Sequence, residues 1–97
     1  MHAAAIRVEA RVPDTHSLKE KRHKVKSVLR AVTKKFPVSA SEVDYQDLWQ
    51  RTSIGVAVVA PQAGQVDRIL HSVERVLRDH DHLDVLGVER SYLAEDA

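Results

Sequence analysis

The sequence predicts an α+β domain in which four antiparallel strands form one sheet and two helices cover one of its faces. The first observation is the order of hydrophobic periodicities along the 97 residues, which reads strand, helix, strand, strand, helix, strand. The second is that the most apolar strand segments, residues 3–12 and 52–60, come first and third. Two right-handed β-α-β crossovers on one sheet give this order and place those two strands centrally. We therefore expect a single ferredoxin-like domain over residues 1–97.

The strand segments differ in how many of their faces are apolar. Residues 3–12 alternate between apolar and charged side chains, a period of two that fits a half-buried strand. Residues 52–60 are β-branched and apolar on both faces, as in a central strand. Residues 38–45 carry several polar side chains, which suits an edge strand beside water, and residues 83–93 predict the last strand. Residues 46–50 form the connection between the second and third strands.

Two segments have the helical period of 3.6. Residues 17–20 have capping-box spacing, so a helix should begin at Leu18. Pro37 disfavours helical geometry at the residue before it, so this helix should end near Lys35. Its apolar residues share one stripe roughly 100° wide, which contains Leu18, Val25, Val28, Leu29, Val32 and Phe36. A second amphipathic helix is predicted over residues 65–80.

Composition limits the classes of function. A hydrophobic fraction of 43% and a charged fraction of 30% are typical of a folded domain. The absence of cysteine excludes disulfides, thiolate metal sites and a cysteine nucleophile, and a reducing cytoplasm is the expected location. The longest apolar run, residues 54–60, is too short to cross a bilayer, so we expect no membrane partner.

Known activities of this fold need residues that the sequence lacks. An RRM-type RNA binder stacks bases on aromatic side chains of its central strands, and the third strand has none. A copper chaperone needs paired cysteines, and an acylphosphatase-like site needs an asparagine; the chain contains neither residue type. Asp14, His16 and Ser17 are the residue types of a hydrolase triad, but Ser17 is better explained as the helix cap. Residues 79–82 fit a solvated helix end better than a metal site. We predict no catalytic residues, no metal and no cofactor.

Positive charge is concentrated on the first predicted helix. Residues 17–35 carry eight lysines and arginines against Glu20 alone, a net charge of +7 in a chain whose total is +1. Most of the outward-projecting cations form a ridge about 22 Å long, enough to follow several phosphates of a nucleic acid. The candidate RNA-binding residues are Lys19, Arg22, His23, Lys26, Arg30 and Lys34. The alternative is that these side chains only favour the helix and keep the domain soluble.

Lys21 is different because it projects into the apolar stripe of this helix. One interpretation is that its ammonium group extends from the first turn into water while its carbon chain packs on the core. The other is that Lys21 points into a cleft near His16.

Three segments together resemble the YlxP-like family of small bacterial proteins of unknown function. They are residues 16–22 (His-Ser-Leu-Lys-Glu-Lys-Arg), 47–51 (Asp-Leu-Trp-Gln-Arg) and 55–59 (Gly-Val-Ala-Val-Val). The likeness covers nearly the whole chain and departs from the family around residues 33–37, where a polar loop is more usual. It implies a ferredoxin-like domain without an established reaction, encoded near factors for transcription elongation, translation initiation and ribosome maturation. The matching pattern residues are Ser17, Leu18, Lys19, Lys21, Arg22, Asp47, Leu48, Trp49, Gln50 and Arg51.

Two further surfaces are candidates for interfaces. Trp49, the only tryptophan, either covers the end of the core or anchors a contact with protein or RNA, together with Asp47, Leu48 and Arg51. On the sheet face away from the helices, a charged row of Arg7, Glu9 and Arg11 lies beside small residues. Two-fold symmetry would let either arginine meet the glutamate of a second copy, so we expect a homodimer, the alternative being a solvated monomer face.

These observations predict a non-catalytic binding protein that associates with structured RNA or the ribosome through its basic first helix. The alternative is a protein-interaction or structural domain that uses the Trp49 connection. An enzyme with an unrecognised site is the third possibility.

Overall fold

The computed structural model describes residues 1–94 and confirms the ferredoxin-like βαββαβ order. The elements are β1 (His2–Arg11), α1 (Leu18–Thr33), β2 (Ser39–Asp44), β3 (Arg51–Ala60), α2 (Ala63–Arg78) and β4 (Asp84–Ala94). The sheet has the order β2-β3-β1-β4, and every neighbouring pair of strands is antiparallel. The two most apolar strands, β1 and β3, are therefore central, as their composition predicts.

The core lies between the sheet and the two helices. Ile6 and Val8 of β1 and Ile54 and Val56 of β3 are at most 1% exposed, because alternate residues of each strand face the helices. The helices contribute Val25, Val28, Val32, Val66, Leu70, Val73 and Leu77, all at most 5% exposed. Truncating one such leucine to alanine, as in Leu70→Ala, typically costs about 2–5 kcal/mol.

Both edge strands contain a β-bulge. In β2 the register shifts between Glu42 and Asp44, and in β4 it shifts opposite the Glu9 to Ala10 step of β1. The β2 bulge brings Val43 over Gly55, where a Cβ atom would lie only 2.9 Å from a methyl carbon of Val43. A larger residue at position 55 would therefore require the side chain of Val43 to move.

The predicted start of α1 is confirmed. Ser17 is the N-cap and its hydroxyl accepts a hydrogen bond from the Glu20 N–H at 3.0 Å. The Glu20 carboxylate reaches back and accepts from the His16 N–H at 3.1 Å, one residue before the cap. The helix ends at Thr33, two residues before the predicted end, because the N–H groups of Lys35 and Phe36 both bond to Val32 and the chain turns.

The other observed boundaries agree to within two residues with those predicted from the sequence. Helix α2 begins at Ala63 behind an extended Gln62 and ends at Arg78. No helix within residues 1–94 is long and apolar enough to cross a membrane.

Candidate nucleic-acid interface

The candidate RNA-binding residues all lie on the outward side of α1 or at its end. Their side chains are exposed, and none of them forms an ion pair within residues 1–94. We refer to the lysines and arginines among them as the outer cations: Lys19, Arg22, Lys26, Arg30 and Lys34; His23 lies beside them on the helix. Their charge faces solvent without a neutralising carboxylate in the described part of the chain.

Four of the outer cations follow one another at intervals of four residues. Arg22, Lys26, Arg30 and Lys34 are therefore about 6 Å apart along the helix axis, on neighbouring turns. Like charges at this spacing destabilise a helix by a few tenths of a kcal/mol per pair. An anionic polymer laid along the helix would relieve this repulsion.

The contacts of Lys21 differ from both interpretations drawn from the sequence. Its side chain is 0% exposed, so the ammonium group does not extend into water, and its polar contacts are with Glu42 and Tyr45. The Nζ atom lies 2.8 Å from Glu42 Oε2 and donates to the carbonyl oxygen of Tyr45 at 2.5 Å. The Thr52 hydroxyl donates to the same Glu42 oxygen. The buried ammonium is thus neutralised by a carboxylate of the edge strand β2.

Lys24 is held by oxygen atoms of the loop before α1. Its Nζ atom donates to the carbonyl oxygens of Pro13 at 2.9 Å and Asp14 at 3.0 Å and to the Thr15 hydroxyl at 3.1 Å. The Glu20 carboxylate lies 3.5 Å away. Asp14 has a positive φ of 54°, and the loop with this left-handed residue presents its carbonyl groups to the ammonium. Lys24 is not among the candidates that the sequence identifies.

The connection at residues 45–50 is fixed against the same end of α1. Gln50 accepts at its carbonyl from the Val12 N–H at 3.0 Å, and its side-chain amide donates to the Thr15 carbonyl at 3.3 Å. Tyr45 has a positive φ of 62°, and its carbonyl accepts from both Lys21 and the Leu48 N–H. The Tyr45 ring lies 5.0 Å from the Arg51 guanidinium, in a cation-π contact.

This fixed connection presents two large apolar side chains to solvent. Trp49 is 50% exposed and Leu48 is 51% exposed, which does not fit a lid over the core. A shallow pocket at this place is lined by Arg11, Asp47, Leu48, Trp49, Gln50 and Arg51. The exposed ring favours the second interpretation of Trp49, an anchor for a contact.

The charged row on the open sheet face is paired within one chain. Arg7 contacts Glu9 at 2.8 Å and Asp44 at 3.0 Å, and the Ser53 hydroxyl donates to Glu9 at 2.9 Å. The hydrogen bond from Arg7 lowers the pKa of Glu9, against the opposing effect of burial. Arg11 is more weakly engaged, with its nearest contact to a carboxylate at 3.9 Å.

The two constellations that the sequence assigns to structure take part in local contacts of the backbone. The hydroxyl of Ser17 is used in the helix cap. His80 accepts at Nδ1 from the His82 N–H at 3.1 Å, and burial together with the neighbouring His82 lowers the pKa of His80. No group of three or more histidine, aspartate or glutamate side chains in this part of the chain is placed to hold a metal ion.

Comparison with known proteins identifies the class to which these features belong. Residues 3–90 match the family described as Protein of unknown function (DUF503), and the chain belongs to that family. Over 65 residues it is 48% identical to the "Uncharacterized protein YlxP" of Bacillus subtilis (strain 168), covering 67% of this chain and 71% of that protein. The predicted YlxP-like family is thereby confirmed.

A solved structure of another kind of protein gives a weaker match. It is LarC2, the C-terminal domain of a cyclometallase involved in the synthesis of the NPN cofactor of lactate racemase, in its apo form. The match covers 96% of this chain and 56% of that one, with 10% sequence identity and a TM-score of 0.41. Similarity at this level does not bear on function.

Proposed function

We propose that this protein is a non-catalytic RNA-binding protein that holds structured RNA or the ribosome through the outer cations of α1. The observation that carries the proposal is their lack of carboxylate partners within residues 1–94. Elsewhere in this part of the chain, carboxylates lie beside several cations. In α2, for example, Arg78 contacts Glu74 at 3.1 Å, and Asp67 of that helix contacts Arg90 of β4 at 3.0 Å.

Binding of this kind is dominated by the phosphate backbone. The central strands carry no phenylalanine, tyrosine or tryptophan on which bases could stack, whereas the outer cations can displace counterions from phosphates. Affinity for RNA should therefore fall steeply as salt is raised. Each phosphate-contacting lysine that is removed should lower the slope of log K against log salt by roughly 0.7–0.9.

The test is a triple charge reversal with a matched control. Lys19→Glu, Lys26→Glu and Arg30→Glu together should abolish binding to ribosomal RNA and ribosomal subunits at about 50 mM salt, where the counterion effect is strong. The control is a triple variant of α2 with the same change in net charge. It carries Arg68→Glu, Arg75→Glu and Arg78→Glu, and it should keep most of the affinity. The proposal is rejected if the wild-type protein binds neither target, or if both triple variants lose affinity equally.

The second candidate function is a protein-interaction or structural domain that uses the Trp49 connection. The two half-exposed apolar side chains on a fixed loop favour it, because buried aromatic anchors dominate many protein interfaces. Under this function Trp49→Ala should cost more affinity for the cellular partner than the triple reversal on α1. Under the RNA function it should cost less.

We also propose that two copies pair through the open sheet face. Val59 and Leu93 are each 61% exposed, and both are paired in register with Ala3 of the central strand, so they form an apolar end of that face. Because Arg7 and Glu9 are already paired within one chain, this apolar end supports the dimer better than the charged row does. Light scattering that returns 10.9 kDa at high micromolar concentration would reject the dimer. The cytoplasmic location stays a prediction.

A further inference from the structure

We propose that the RNA held along α1 continues beyond the first turn of the helix and stacks an unpaired base on Trp49. This inference rests on the proposed function and names its ligand class more narrowly: RNA with a single-stranded segment next to the part that the outer cations hold. Trp49 is then a base-stacking residue rather than an anchor for a protein.

The first step is the position of the connection that carries Trp49. Lys21 from the first turn of α1 bonds to the Tyr45 carbonyl, and Gln50 bonds to Thr15 in the loop just before that helix. The connection and the start of α1 are therefore in direct contact. The row of outer cations begins at Lys19, in the same turn of α1 as Lys21, and the proposal is that a strand leaving this end of the row continues to the Trp49 connection.

The second step is the rigidity of that connection. Both of its ends are fixed, at Tyr45 by Lys21 and at Gln50 by Val12 and Thr15. A side chain on a loop that is already ordered loses little conformational entropy on binding. Trp49 is half-exposed on this fixed backbone, so its indole ring offers a surface for a planar ligand.

The third step is the chemistry around the ring. Arg11 and Arg51 line the same pocket as Trp49, and Arg11 is 65% exposed with its nearest carboxylate contact at 3.9 Å. Aromatic faces combined with arginines are the combination that binds single-stranded nucleic acid. Asp47 in the same pocket repels a phosphate but can accept hydrogen bonds from the N–H groups of a base. The pocket is therefore suited to a base, with the backbone directed towards the cations.

Trp49 itself reports on this site because it is the only tryptophan in the chain. We would titrate the protein at about 50 mM salt with three probes: single-stranded oligouridylate, duplex RNA of the same length, and inorganic polyphosphate. All three should bind, since all carry phosphates. Only the single-stranded RNA should strongly quench the tryptophan fluorescence, because only its bases are free to stack.

Substitutions then measure the contribution of the ring, with affinities taken from the anisotropy of end-labelled RNA. Trp49→Ala should weaken binding of oligouridylate by about 5- to 150-fold, the range of one base stacked on an aromatic ring, and leave duplex binding unchanged. Trp49→Phe should retain most of the affinity. Leu48→Ala is the matched control, because Leu48 is equally exposed on the same loop but has no aromatic face.

The outcomes separate the two proposals. If none of the three probes binds, the proposed function and this inference both fail. If all bind without quenching and Trp49→Ala keeps full affinity for oligouridylate, RNA binding stands and stacking on Trp49 is rejected. Equal losses for Trp49→Ala and Leu48→Ala would also reject stacking, because they would indicate apolar contact of the kind made with a protein partner.

Discussion

The inner and outer cations of α1 are the same residue types in one helix, yet their surroundings are opposite. Lys21 and Lys24 direct their ammonium groups inward, where a carboxylate, carbonyl oxygens and a hydroxyl surround them. The outer cations face water without an ion pair in residues 1–94. The difference arises from helical position alone, because residues three or four apart share a face and residues two or five apart do not.

This comparison shows that the number of positive charges on a helix overstates the number that are free to bind a ligand. The two inner lysines stabilise the loops with the left-handed residues Asp14 and Tyr45. They thereby fix the backbone beside the start of the outer row. Four predictions break or sharpen the distinction, from the largest expected effect to the smallest.

Replacing Lys21 should have the largest effect on stability. Lys21→Met removes the ammonium and leaves the Glu42 carboxylate, which is 15% exposed, next to the core without its partner. Breaking a buried ion pair costs about 3–5 kcal/mol, and we expect a value near the lower end because Glu42 keeps some contact with water. Urea denaturation at pH 7 gives the change in the free energy of unfolding.

Two further variants test this explanation. Adding Glu42→Gln to Lys21→Met should restore part of the lost stability, since the remaining charge is removed. Lys26→Met, a matched change on the outer row, should alter the free energy of unfolding by less than about 0.5 kcal/mol. If Lys21→Met were as mild as Lys26→Met, the distinction between inner and outer cations would not hold.

Lys24 should have an intermediate effect. Lys24→Met removes hydrogen bonds from an ammonium to three loop oxygens, but its side chain is 16% exposed and water can reach part of the site. We expect a loss of about 1–2 kcal/mol, measured by thermal unfolding. Lys19→Met is the control from the same helix, and a loss of equal size there would argue against a specific role for Lys24.

Reversing one charge in the outer row should stabilise the fold while weakening the proposed RNA binding. Lys26→Glu places a carboxylate four residues from both Arg22 and Arg30, so two repulsive pairs become attractive. The free energy of unfolding should rise by about 0.5–1 kcal/mol at low salt, and the gain should shrink as salt screens the charges. A loss of stability at low salt would show that the row is not strained by repulsion.

The smallest effect concerns the one acidic residue of α1. The hydrogen bond from the His16 N–H, with further help from Lys24, holds the pKa of Glu20 below its ordinary value of 4.5. The unfolded chain therefore binds the proton first as pH falls, so this stabilisation is present above pH 4.5 and is lost as pH drops through the folded pKa. Glu20→Gln should be less stable than wild type at about pH 6, and the difference should shrink as pH falls below 4.5. A constant difference across this range would exclude the linkage.

The hydrophobic periodicity of the sequence was sufficient to predict the fold. The same periodicity also contains a signal for one contact of the site, the ion pair between Lys21 and Glu42. Lys21 lies within the apolar stripe of α1, and Glu42 shares its strand parity with Val38 and Ala40, which pack against the core. Two opposite charges that both project inward predict a buried pair when they are considered together. Considered alone, Lys21 suggests only a side chain that must reach water.

Other contacts depend on geometry that no local pattern contains. By simple alternation Asp44 would lie on the same face as Glu42, but the bulge at Val43 turns it to the open face, where it contacts Arg7. The carbonyl oxygens around Lys24 are oriented by the left-handed conformation of Asp14, which follows from closure of the whole loop. The exposure of Trp49 likewise depends on how its connection packs against Thr15.

The bulges of β2 and β4 also affect how molecules of this protein can assemble. These strands are the two free edges of the sheet, and an irregular edge is a poor template for pairing with a strand of another molecule. Pairing between copies at these edges is therefore disfavoured, and the dimer proposed above would instead use the open face, where a two-fold contact closes on itself. If the proposed dimer and the proposed RNA binding both hold, many molecules would gather along one extended RNA without joining into a continuous fibre.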